Sequence, residues 1–122
     1  MKKILFSITA LIFAQIASAQ IANTSWSGTF NIPDPAQMEL QFKSDTLVLS
    51  FSNNTVLESM TYKISNDTLS IVKIEGQSPC DNTTAGTYKI VMKEKKLFLT
   101  VLKDDCPERV SAWPTEGMQK ID

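Results

Sequence analysis

The chain has 122 residues, with 12 Lys and Arg against 13 Asp and Glu and no histidine. That length holds one small domain, and the absence of histidine removes the commonest general base and metal ligand. A mildly acidic chain also argues against nucleic acid, whose affinity rests on clustered Lys and Arg.

The first element in chain order reads as an export signal. Met1-Lys2-Lys3 is a basic start, residues 4–16 form an apolar run, and Ala17-Ser18-Ala19 supplies a small-residue cleavage pattern. The run falls short of the roughly 20 apolar residues a spanning helix needs, so stable membrane insertion is not expected. No cysteine follows the cleavage site, which argues against a lipoprotein. Residues 1–19 are expected to be removed, leaving residues 20–122 as an exported domain, periplasmic or secreted. Losing Lys2 and Lys3 takes 12 basic residues to 10 against 13 acidic, for a net charge of −3.

Beyond this point helical spacing is nearly absent and period-two alternation recurs. Residues 24–30 form a first strand carrying Trp26 and Phe30 around a small Gly28, ended by Pro33 and Pro35. Met38, Leu40 and Phe42 then alternate up to the turn Lys43-Ser44-Asp45-Thr46, followed by Leu47, Leu49 and Phe51. The same template returns with Met60, Tyr62 and Ile64, the turn Ser65-Asn66-Asp67-Thr68, and Leu69 and Ile71. It returns again with Tyr88, Ile90 and Met92, the turn Lys93-Glu94-Lys95-Lys96, and Leu97, Leu99 and Val101. In each hairpin the parity keeps both apolar sets on one face. After Trp113-Pro114 and a turn at Glu116-Gly117, residues 118–121 complete about eight strands. This is an all-β chain, an antiparallel up-and-down meander that buries its apolar face as a sandwich or a barrel. Closure removes exposed edges and favours the barrel. Val48, Val72, Val91, Phe98 and Leu102 interrupt the second face, which implies either loop cover or a partner surface.

Cys80 and Cys106 are the two cysteines. An even count in an exported chain argues for a disulfide, against the alternative of two free buried thiols. Chain entropy makes such a bond worth roughly 3.5 kcal/mol.

Ser25-Trp26-Ser27-Gly28, Ser78-Pro79-Cys80-Asp81, Gly86-Thr87-Tyr88 and Asp104-Asp105-Cys106-Pro107-Glu108-Arg109 occur in an order that, with the meander, resembles the small secreted lipocalin-like (calycin-type) domains of bacteria. The resemblance covers nearly all of residues 20–122. It departs in one detail, since lipocalins place Gly before the Trp and here Gly28 follows Trp26. It implies a small calycin-like barrel in which a first-strand Trp packs against an Arg or Lys from the barrel's end. Carried over, Trp26 would stack on Arg109, the single arginine. The alternative is a charge that pairs with Asp104, Asp105 or Glu108.

Catalysis needs a nucleophile beside a base, a metal, or paired carboxylates in a cleft, and the sequence offers no such set. The chain is therefore read as non-enzymatic, with no cofactor and no metal ion. Asp104, Asp105 and Glu108 read as a solvated turn, and Asp45-Thr46-Leu47 and Asp67-Thr68-Leu69 as turns that resemble a bacterial O-glycosylation motif. The leading expectation is a binding module for a small apolar or amphipathic molecule, lined by Phe42, Phe51, Met60, Tyr62, Tyr88 and Met92. An eight-stranded barrel can also fill its interior with its own side chains. In that case the rim and the disulfide-tethered loop of residues 76–85 would serve a protein-interaction or inhibitor role. The export reading predicts a mature protein beginning at Gln20. Intact-mass measurement of the exported form, allowing for pyroglutamate, checks it, and retention of residues 1–19 overturns it.

Overall fold

Alternation with a two-residue period sends successive side chains to opposite faces of a strand, and the alternating stretches of this sequence are strands. The computed structural model describes residues 18–121. The expected export signal lies outside the described residues apart from Ser18 and Ala19. The elements are α1 (Ser18–Ile21), β1 (Thr24–Asn31), β2 (Pro35–Phe42), β3 (Thr46–Phe51), β4 (Val56–Ser65), β5 (Thr68–Gly76), β6 (Ala85–Lys93), β7 (Lys96–Asp104), α2 (Pro107–Ala112) and β8 (Met118–Ile121). Each strand pairs antiparallel with its neighbour in sequence, and β8 pairs back with β1 to close an eight-stranded up-and-down barrel.

The inward set packs as the parity requires. Leu40, Leu49, Tyr62, Leu69 and Ile90 are buried and Leu99 is half-buried against them, while Lys63, Lys89 and Thr100 face solvent. Two hairpin turns are tighter than the four residues expected. Ser65 pairs with Thr68 and Lys93 with Lys96 as last rungs of their ladders, which leaves the two-residue turns Asn66-Asp67 and Glu94-Lys95. Glu94 and Lys95 both have positive φ, +53° and +69°. That is the type I′ geometry whose twist matches the flanking strands.

These turns and α1 share one end of the barrel, and that end is plugged. Ile21 is buried there. Phe42 meets Tyr62 edge-on at 5.2 Å, and the Tyr62 hydroxyl donates to the Lys43 carbonyl. The opposite end carries the β1–β2 bend, the residue 77–84 loop and α2.

Three register shifts interrupt the ladders, the one in β3 between Leu49 and Ser50 and two that re-aim side chains. One of these two falls between Thr87 and Tyr88, where Tyr88 pairs with Val101 but Thr87 with Lys103. It brings Asp104 onto the inward face opposite Gly86. A Cβ on Gly86 would lie 2.5 Å from Asp104 Oδ2, so only glycine leaves room. The expectation that Val101 faces inward is corrected: beside this shift it is exposed. The second falls between Ser59 and Met60, opposite Lys73 and Glu75.

The seam is short. β8 meets β1 over three residue pairs and β7 over two. Beyond it, residues 113–117 fill the gap between β1 and β7. They approach so closely that a Cβ on Gly28 would lie 3.0 Å from Pro114 Cγ. Gly117, at φ +84°, passes under the Phe98 ring. Phe98 is thus covered by the tail, whereas Val72 and Leu102 stay exposed.

Truncation of a fully buried inward residue, Leu97→Ala, is expected to cost about 2–5 kcal/mol in urea unfolding through lost burial and a residual cavity. Lys89→Ala on the outer face should cost under about 0.5 kcal/mol. Equal small effects would overturn the assignment of faces.

Candidate functional site

At the open end the chain must hold α2 over a barrel whose strands stop beneath it. Asp104 supplies the anchor. Its side chain is fully enclosed and accepts hydrogen bonds from Arg109 Nε at 2.7 Å, Arg109 Nη2 at 2.9 Å, the Cys106 amide at 2.8 Å and the Tyr88 hydroxyl. A buried carboxylate is tolerated only when paired and hydrogen-bonded to this degree. Burial pushes the Asp104 carboxyl upward, but hydrogen bonds from Arg109, Tyr88 and the Cys106 amide outweigh it and hold the group below its ordinary value of 3.8. The Tyr88 phenol is raised by burial and by its bond to Asp104, with Trp113 and Arg109 beside it pulling the other way.

Arg109 Nη2 also donates to the Thr84 carbonyl at 3.2 Å, which ties α2 to the residue 77–84 loop. The expected disulfide joins the same two segments: Cys80 and Cys106 are bonded, with α-carbons 5.6 Å apart.

A second charged pair lies inside the barrel. Lys73 and Glu58 are 3% and 4% exposed, with Lys73 Nζ 3.6 Å from Glu58 Oε1. Lys73 Nζ donates to the Ser78 and Cys80 carbonyls at 3.1 and 2.5 Å. The ammonium therefore pulls the loop inward across the barrel end.

Between this loop, α2 and the β1–β2 bend lies a cavity of about 370 Å³. Leu49, Leu57, Glu58 and Met60 form its barrel wall, and Phe30, Ile32 and Pro33 its first side. Residues 77–80 form the second side, with Glu108, Arg109, Ser111, Ala112 and Trp113 of the α2 segment closing it. The Trp113 ring reaches down to meet Tyr88 edge-on at 5.4 Å and Phe30 at 5.9 Å. The lining is largely apolar with a few placed polar groups, and its volume falls in the range of ligand sites, about 300–1,000 Å³.

Of the six residues expected to line a cavity, Met60 does so. The placement of the other five is corrected. Phe42 and Tyr62 plug the opposite end, and Tyr88 lies behind Trp113 on the Asp104 carboxylate. Phe51 packs half-buried on β3 outside the lining, and Met92 is 38% exposed. Alternation sets which face a residue takes but not its height along the barrel, and height decides access to this cavity.

The expected Trp26–Arg109 stack is likewise corrected. Trp26 lies near the plugged end with Nε1 donating to Thr24 Oγ1 at 2.8 Å, whereas Arg109 belongs to Asp104 at the open end. Asp104 is enclosed rather than solvated, so the acidic-turn expectation also fails for that residue. Among the described residues, no group of three His, Cys, Asp or Glu is placed to hold a metal ion.

Sequence reading missed Glu58, Lys73 and Trp113 as site residues. The first two were readable, since Glu58 precedes Met60 by two positions and Lys73 follows Ile71 by two. Comparison with family models, curated proteins and solved structures finds no match.

Arg109→Ala strands a buried carboxylate and is expected to cost about 3–5 kcal/mol in urea unfolding at pH 7. Because the folded Asp104 value is depressed, its contribution is complete above 3.8 and is lost as pH falls through the folded value. The stability difference between wild type and Asp104→Asn should therefore shrink below that pH. A pH-independent difference overturns the assignment.

Proposed function

We propose that the chain is an exported, non-enzymatic binding module of the lipocalin-like kind, holding a small apolar or amphipathic molecule in the cavity beneath α2. The cavity itself carries the reading: about 370 Å³ of largely apolar lining at the open end of a barrel whose other end is plugged. The eight-stranded up-and-down closure supports the family resemblance, and the separation of Trp26 from Arg109 departs from it. The Cys80–Cys106 bond supports an oxidising compartment. Among the described residues no helix is long and apolar enough to cross a membrane.

The alternative, a protein-interaction or inhibitor domain acting through its rim, has less support. Its loop is tied down by the disulfide and by Lys73, and Phe98 lies under Gly117.

Native mass spectrometry of protein purified from its own host should reveal a small-molecule adduct that denaturation releases. Leu57→Trp, which fills the cavity from its wall, should lose that adduct while keeping the wild-type circular dichroism. A wild type without adduct that also fails to bind an apolar fluorescent probe overturns the reading.

A further inference from the structure

Among the described residues, four buried side-chain polar atoms make no hydrogen bond: Glu58 Oε1, Ser78 Oγ, Arg109 Nη1 and Trp113 Nε1. All four belong to residues that line the cavity. Buried polar groups are ordinarily paired, so their concentration around one cavity points to a guest that completes them. Glu58 is the most informative. Lys73 Nζ stands 3.6 Å from its Oε1, close enough to neutralise the charge but too far to donate a hydrogen bond. The ammonium instead spends its donors on the Ser78 and Cys80 carbonyls. Glu58 thus has its charge balanced and its accepting capacity left over.

The buried charges around the cavity are balanced on its other side too. Arg109 grips Asp104 through two nitrogens, and Glu108 on the lining is exposed. No unpaired cation is offered to a carboxylate, whose transfer into such a site is costly without one. An ammonium ligand approaching Glu58 would meet the Lys73 charge. What remains is a neutral donor for Glu58, with an acceptor of its own for Arg109 Nη1, since Trp113 Nε1 already has the Tyr88 hydroxyl beside it.

We propose that the cavity selects neutral amphiphiles whose polar end both donates and accepts, an alcohol or a primary amide, with Glu58 as the acceptor that reads the donor. This rests on the cavity being a ligand site.

The test is calorimetric titration of the full chain at pH 7 with five eight-carbon probes: 1-octanol, octanamide, methyl octanoate, octanoate and octylamine. The alcohol and the amide should bind at least about tenfold tighter than the ester, which cannot donate, and than the two charged probes. A preference below tenfold overturns the proposal while leaving the cavity as a ligand site. No binding by any probe overturns the cavity reading itself. In Glu58→Gln, Lys73 loses its counter-charge, and the ratio of octanoate to octanol affinity should rise at least about tenfold. An unchanged ratio in the folded variant overturns the role given to Glu58. If the variant does not fold, the wild-type series decides alone.

Discussion

The enclosed Asp104 carboxylate is the interaction on which the open end of this barrel depends. It gathers donors from β6, from the turn at Cys106 and from α2. A charge held this way cannot be left half-satisfied, because an unpaired carboxylate in that position is far costlier than a missing apolar contact. The arrangement therefore holds together as a unit. It needs the register shift that turns Asp104 inward and the bare backbone of Gly86 that admits it. Arg109 then fixes α2, and α2 fixes Trp113, whose ring forms part of the cavity wall. The largely apolar cavity is thus shaped by a polar constraint outside it.

The interior divides by height. Toward the hairpin turns, Ile21, Phe42 and Tyr62 fill the barrel, as side chains usually fill eight strands. Toward the other end, the inward positions of β4 and β5 are Glu58 and Lys73. The Lys73 ammonium draws in the residue 77–84 loop instead of packing against the opposite wall. A polar pair in place of two large apolar side chains leaves the space that α2 roofs over.

Much of this was legible in the sequence and some was not, for identifiable reasons. Parity placed the faces of β2 to β7 correctly as far as the register shifts, as Leu40, Tyr62 and Ile90 illustrate. It failed at Asp104 because one residue inserted after Val101 reverses every later assignment, and Val101 itself, the last residue before the insertion, is exposed. Glu58 and Lys73 obeyed the same parity, but their charge masked their inward position. Helix α2 announced itself only through Pro107 at its first turn with Glu108 behind it, a signal too brief for periodicity to register. The lone arginine was readable as a planar pairing group. Its partner was not, since three acidic residues lay within reach and the register shift chose among them.

The seam at β8 bears on how the barrel breathes. Five residue pairs hold that strand, three to β1 and two to β7, against eight between β1 and β2. Closure is thus an intramolecular association of a weak ligand, and its strength depends on effective concentration. The disulfide at Cys106 and the Asp104–Arg109 grip anchor the chain shortly before Met118, so the closing strand never strays far from its slot. The lowest-energy opening is then a brief parting of β8 that leaves the remaining ladders intact. Amide exchange in β8 should be the fastest of any strand, and reducing the disulfide would quicken it there before it loosened the rest of the fold.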